Sequence, residues 1–428
     1  MIRRRKCAVL SAFAFDPPWL DQHNRNRAFK MGQLAVARRP SSVGRWPRAT
    51  VGQASVPVRQ LRCRVATWCL SFHSRWRCQH SGACCRAGWA IPVEADRFER
   101  ITTHVGAERV ARLFITGGPL PEAAAAILGT EPGGACRFHE QQRCAIHRDL
   151  GEGTLPSACQ QFPRIALVDE RGTFVRLSHF CPTAAALLLQ TKTFSIVAAP
   201  DTITLHGRVE GLDARGVLPP LLRPGLLTDP AGYGAWETLG VETLASGAWT
   251  AAGALAVIDG ATRAILDWIP GDESLESAVP RAFTSAQPLP ALVDPELYLR
   301  RFACAVTAIP PGLRAPALPQ GIQAVWTRTA AELQARDAVT RAWLASHLFG
   351  NWIAYSANGL STAVEYLHIC LAVLHVELAR GCLVGTQRSA DQRLLDAIRQ
   401  SDHILHHLAD IPALTRSIEL AAFREGCE

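Results

Sequence analysis

Lysine is almost missing from this chain: it stands only at positions 6, 30 and 192, so nearly all positive charge is arginine. We attribute that to coding bias rather than phosphate chemistry. Long apolar runs are missing too. No stretch of about 18 uninterrupted apolar residues occurs, so no transmembrane helix is expected. Also missing are a P-loop, an HExxH pair, a GxSxG elbow and any strand followed by a glycine-rich turn and a helix. These absences remove the common nucleotide-binding, zinc-protease and serine-hydrolase signatures. No internal repeat is found. The start, "MIRRRKCAVLSAFAFDPPWL", has the outline of a signal peptide, but its apolar run is short and Asp16-Pro17-Pro18 ends it, so a cytoplasmic protein is expected.

What is present is unevenly spread. The net charge is +8 over 428 residues, yet residues 1–77 hold 16 Lys/Arg against Asp16 and Asp21 alone, leaving the remainder at −6. A basic extension, residues 1–65, precedes a mildly acidic body. Its segment 21–60 lacks apolar periodicity and is rich in Arg, Pro, Ser and Gly, a composition that favours disorder. Trp19, Trp46, Trp68 and Trp76 among arginines resemble an RNA-binding arm only superficially. No nucleic-acid or membrane partner is expected.

Cysteine carries the strongest signal. Of 14 cysteines, seven lie between 78 and 181: Cys78, Cys84, Cys85, Cys136, Cys144, Cys159 and Cys181. Disulfide frameworks staple small secreted domains; clustered cysteines in a long chain without a firm export signal point to metal. A thiolate is a soft ligand, and in "RCQHSGACCRAGW" a turn at Gly82 can bring nearby sulfurs inward. Four thiolates suit tetrahedral zinc or a four-iron cluster. Seven exceed one zinc site. His80, His139 and His147 are further donors, although solvated loop positions explain them as well.

The rest of the body reads as mainly α: an irregular cysteine-rich metal-binding domain (66–208) with a small β-hairpin, a linker (209–232) and a C-terminal helical domain (233–428). Helices are expected at about 93–104, 106–115, over "PEAAAAILG", after Cys181, at 294–308, and along the stripe Leu360, Val364, Leu367, Leu371, Leu374 and Leu378, stopped by Arg380-Gly381. The Ala-rich helix before Trp268 should break near Gly260. "RIALVDERGTFVRLS" reads as a hairpin, and 193–207 as one or two strands. Ser389 opens a capping box. Tyr298, Tyr355 and Tyr366 read as core or rim. Glu365, Glu377 and the "HILHH" histidines His403, His406 and His407 read as solvated helix faces.

The segments "CQHSGACCRAGWAIPVE", "CRFHEQQRCAIHRDLGEGTLPSACQQFPR" and "SHFCPTAAALLL" resemble the CxxCxxCC cysteine-cluster domain, a zinc- or iron-chelating module. More closely they resemble its branch in the flagellin lysine-N-methylase family. The matching positions are Cys84, Cys85, Gly88, Trp89, Cys136, Phe138, Cys144, Ile146, Gly151, Leu155, Cys159, Phe162, Pro163, Arg164, Cys181 and Pro182. The likeness is dense from 78 to 190, with a weaker helical likeness through about 340–420. It implies an iron–sulfur cluster, or alternatively Zn2+, held by the seven cysteines, and methyl transfer from S-adenosylmethionine to lysine on a protein substrate such as flagellin. Ser81 stands where the general pattern has another cysteine; Cys69 is the nearest spare thiol. The alternative is a non-catalytic iron–sulfur or zinc protein sharing only the chelating module. Neither catalytic nor donor-binding residues can be assigned from the pattern.

Overall fold

The computed structural model describes residues 66–425 apart from 118, 119, 122, 206–210, 287–293, 312, 314 and 386. The basic extension therefore lies outside the described residues. The fold is mostly helical, with 55% helix and 13% strand.

The apolar stripe folds as the helix Leu360–Leu383, which runs two residues past Gly381. Its neighbours are the helices Ala390–Asp402, Pro295–Thr307, Ala251–Ile265, Trp326–Ala335 and Asp337–Leu348. This helix is long and apolar enough to cross a membrane, but 89% of its apolar window is buried inside the protein. Its all-round hydrophobicity fits a helix enclosed on every side by others. Glu377, expected on a solvated face, is buried and paired with Arg380 at 3.0 Å. Glu365 pairs with Arg301. Tyr298 and Tyr366 are core residues as expected.

Side-chain caps start several helices. Ser389 accepts from the backbone N–H of Gln392 at 3.2 Å, as the capping pattern predicts, and Thr250 and Asp229 do the same for Gly253 and Gly232. Ala251–Ile265 passes Gly260 without a break. A mid-helix glycine costs about 1 kcal/mol relative to alanine, which burial of Leu255, Ile258, Ala261 and Ile265 offsets.

The predicted hairpin forms from Arg164–Asp169 and Gly172–Leu177. It is part of a larger element than expected, a five-stranded sheet. Thr67–Leu70 joins parallel to Gly172–Leu177, Ile196–Ala198 adds antiparallel at one edge, and Gly211–Asp213 adds parallel at the other. The segment read as a linker thus contributes this strand and the short ladder of Leu221–Arg223 with Leu226–Leu227. Nor is "PEAAAAILG" helical. Ala124–Leu128 is the middle strand of a three-stranded sheet, between Pro92–Glu94 and Phe114–Ile115. Alanine's helix propensity is a weak prior. Here it is overridden by burying Ala126 and Leu128 in a second core, with Val93, Ile101, Phe138 and Ile146.

Arg171, at the hairpin turn, ties sheet to helices. It bonds Asp169 at 2.7 Å and Glu237 of the helix Pro230–Ala245 at 3.0 Å, and its guanidinium lies 4.4 Å from the rings of both Phe174 and Tyr233. Glu237 also accepts from the Gly350 N–H at 2.9 Å, and the Tyr355 hydroxyl donates to Asp169. Every partner is occupied, which a buried ion pair needs to hold.

Candidate functional site

The two cysteine blocks, distant in sequence, meet. The Cys136 N–H donates to the Cys85 carbonyl at 2.7 Å, so the loop before Trp89 and the segment after Gly134 run side by side. Gly82 has φ +66°, and a Cβ there would lie 2.6 Å from the Gln142 carbonyl oxygen and 2.7 Å from His139 Nε2. Only glycine combines that conformation with that approach. The turn at Gly82 predicted from the sequence is therefore what lets the first block lie against the second.

Cys85 sits between Cys84 and Cys144, within hydrogen-bonding reach of both sulfurs. The neighbouring Cys144 and Cys84 sulfurs, and then burial, push its own titration far up. The Cys85 thiol beside it brings Cys144 down to about 7, and lowers Cys84 too. Cys136, beside them, is pushed up to about 11 by burial. Cys159 lies at the edge of the same apolar cluster. Cys78 is exposed and senses the charges of Cys181 and Cys84. Cys181 belongs to a different cluster, with Cys69 and Trp76.

Among the described residues no three sulfurs lie within 4.8 Å of one another. Thiolate and imidazole are the donor types that soft metals take. Cys84, Cys85 and Cys144 adjoin, and buried His139 Nε2 beside Gly82 has no hydrogen-bond partner. Ser81 is exposed, its hydroxyl 3.5 Å from the Ala83 N–H. Cys69, the spare thiol, is wholly buried in the strand Thr67–Leu70, and burial pushes it up to about 12. The rings of His80 and His147 lie 4.6 Å apart.

The second half of the site was missed by sequence reasoning. Residues His403–Leu408, expected as an exposed helix face, form a π-helix whose Ala409 N–H donates to the Ile404 carbonyl at 2.9 Å. Such widened turns often mark functional positions. His403 and His407 of this turn face the motif segments quoted above, and His406 faces Arg176 and His347. His407 stacks on Trp89, His403 stacks on Phe180 and accepts no proton at Nε2, which donates to the Ala87 carbonyl at 2.9 Å.

Asp402, fully buried, is the hub. Its Oδ1 accepts from Trp343 Nε1 at 2.8 Å and faces His347 Nε2 at 3.1 Å; its Oδ2 accepts from the His179 backbone and faces His179 Nδ1 at 3.2 Å. Burial alone would raise this carboxyl, but the bonds from His179 and His347 outweigh it and hold it well below its usual range. The network fixes the tautomers. His347 donates through Nε2, so its Nδ1 accepts from the Tyr366 hydroxyl at 3.0 Å. His179 donates through Nδ1, so its Nε2 accepts from His73 Nε2 at 3.2 Å, leaving His73 Nδ1 buried without a partner. His406 Nε2 accepts from Arg176 Nη1 at 3.0 Å. Burial lowers His73, His347, His406 and His407, so these imidazoles are neutral at pH 7.

Donor atoms of His347, Asp402 and His406 lie within 4.8 Å of one another, a spacing a metal ion could bridge. The charges argue against an ion there. The buried Arg176 guanidinium already occupies the lone pair of His406 and supplies the cation that Asp402 requires. We read the hub as a self-balanced network of neutral imidazoles around one carboxylate.

The segment Ser178–Cys181 joins the halves. Ser178 Oγ lies 2.8 Å from His407 Nε2, His179 reaches Asp402, Phe180 covers His403, and Cys181 neighbours Cys78. A readable signal existed: Ser178 and His179 lie three and two residues before Cys181, and Asp402 and His406 are four residues apart. Comparison with family models, with curated proteins and with solved structures finds no match to this chain.

Proposed function

We propose that this chain is a metal-bearing protein lysine methyltransferase resembling the flagellin lysine-N-methylases. The observation that carries the reading is the meeting of the two blocks that bear the resemblance, with Cys85 between Cys84 and Cys144 and Cys136 beside them. Cys84, Cys85, Cys136 and Cys144 would hold the group, an iron–sulfur cluster or alternatively Zn2+, with Cys78, Cys159, Cys181 and His139 as further donors. Such a centre supplies folding free energy and a local positive charge. S-adenosylmethionine and a protein lysine, of which flagellin offers candidates, are the substrates. Transfer forms an N–CH3 bond, breaks an S–CH3 bond and requires a neutral amine, so a proton must leave the lysine first.

The test is incubation of anaerobically purified full chain with labelled S-adenosylmethionine and flagellin. Label on lysine is expected; a metal-replete sample that transfers none overturns the methyltransferase reading. A second reading, a non-catalytic metal-binding protein, is favoured by the missing glycine-rich nucleotide turn. It predicts bound metal without transfer. Brown material with broad visible absorption identifies iron–sulfur; colourless protein with stoichiometric zinc identifies the alternative.

A further inference from the structure

We propose that the cleft between the cysteine loop and the helix Ala390–Asp402 binds a small oxyanion, a carboxylate or a phosphate group. The cleft measures about 290 Å³ and is lined by Ala83, Arg86, Phe180, Arg399, Gln400 and His403. That volume suits a small ligand. Its walls come from three places that tertiary folding alone brings together: the loop around Cys84 and Cys85, the segment before Cys181, and the end of the helix that leads into the π-turn.

The charge of the cleft selects the ligand. Arg86 projects from the cysteine loop, exposed, and its side chain makes no hydrogen bond or ion pair among the described residues. Arg399 is held in place: its Nε donates to the Phe180 carbonyl at 3.2 Å, and its guanidinium lies 5.7 Å from the Phe180 ring. The nearest carboxylate, Asp396, is 3.7 Å from Arg399 and is already bonded to Arg388. Two guanidinium groups therefore line one cleft, Arg399 beside Asp396 and Arg86 with no carboxylate partner among the described residues. An oxyanion in the cleft would accept from both forks, a geometry to which arginine is suited. The Gln400 amide adds a neutral donor, and the Phe180–His403 stack forms an apolar wall.

The same charge repels ammonium and sulfonium groups, so the cleft is a separate site from one that receives a lysine amine or a methyl-donor sulfonium. It does not depend on the methyltransferase reading, and its failure would leave that reading untouched.

The test uses the full chain at low ionic strength, titrated calorimetrically with inorganic phosphate in one arm and malonate in the other. Saturable binding is expected in at least one arm, the tighter arm identifying the source, and weakening with added salt. Arg86→Gln should weaken it about tenfold while leaving thermal unfolding unchanged, since Arg86 is exposed. Arg399→Gln should weaken it similarly, and Arg215→Gln, on a distant exposed strand end, should not. Absence of binding in both arms at millimolar concentration overturns the proposal. So does wild-type affinity in Arg86→Gln.

Discussion

The indole of Trp89 stacks on the imidazole of His407, with ring centroids 4.3 Å apart and planes inclined by 28°. Trp89 belongs to the CC-x-x-G-W turn of the cysteine block, and His407 to the π-turn at the end of the helical body. Phe162 and Phe180 close around the same pair, at 5.4 and 6.0 Å from Trp89. The contact is the joint between the cysteine block and the histidine hub.

Truncating that joint should be costly. Trp89→Ala removes an aromatic packed against three rings and is expected to lose about 3 kcal/mol of stability by urea denaturation. Trp249→Ala, at an exposed position, should shift stability by no more than about 0.5 kcal/mol. Equal effects of the two would refute the joint.

The charge balance of the hub can be measured directly. Asp402→Asn leaves the volume intact but strips the charge that accompanies buried Arg176, and should destabilise by about 3–5 kcal/mol. Combining it with Arg176→Met should cost less than the sum of the two single changes. Strict additivity would mean that the two charges do not compensate each other. Retention of a bound transition metal by wild-type protein that is lost in Asp402→Asn alone, with all cysteines intact, would restore the metal interpretation of the hub.

Cysteines should divide by location. Changing Cys84 and Cys85 together to Ser is expected to lower metal content and stability in parallel, because binding and folding share one free energy. Cys69→Ser should leave metal content unchanged, since that thiol is sealed in the sheet. Elemental analysis of anaerobic samples reads both. Unchanged metal in the double variant would make those two thiols bystanders.

Acid sensitivity has a traceable source in His375. It stacks on Trp326 at 3.8 Å and lies 2.8 Å from the Thr329 hydroxyl, and burial brings it down to about 4. Neutral in the folded state and protonated near 6.5 when unfolded, it favours unfolding as the pH falls through 6.5 toward 4. At pH 5 the contribution is about 2 kcal/mol of lost stability relative to pH 7.5. Urea midpoints at both pH values should show a correspondingly smaller drop in His375→Gln.

The sequence by itself determined the elements whose pattern is local. The stripe from Leu360 to Leu378, the cap at Ser389, the hairpin about Asp169–Gly172 and the turn at Gly82 all formed where spacing and turn chemistry put them. It also placed Cys84, Cys85, Cys136 and Cys144 in one region. Tertiary structure alone decided the rest. It made a strand of Ala124–Leu128, because ladder partners and burial outweigh a few tenths of a kcal/mol per residue of helix preference. It set Cys181 with Cys69 rather than with Cys85. It gathered His73, His179, His347 and His406 around Asp402 from segments more than 300 residues apart at their extremes. A histidine's neighbours across the fold leave no mark on its own stretch of chain, and only the fold sets His403, His406 and His407 of the π-turn against Ala87, Arg176 and Trp89.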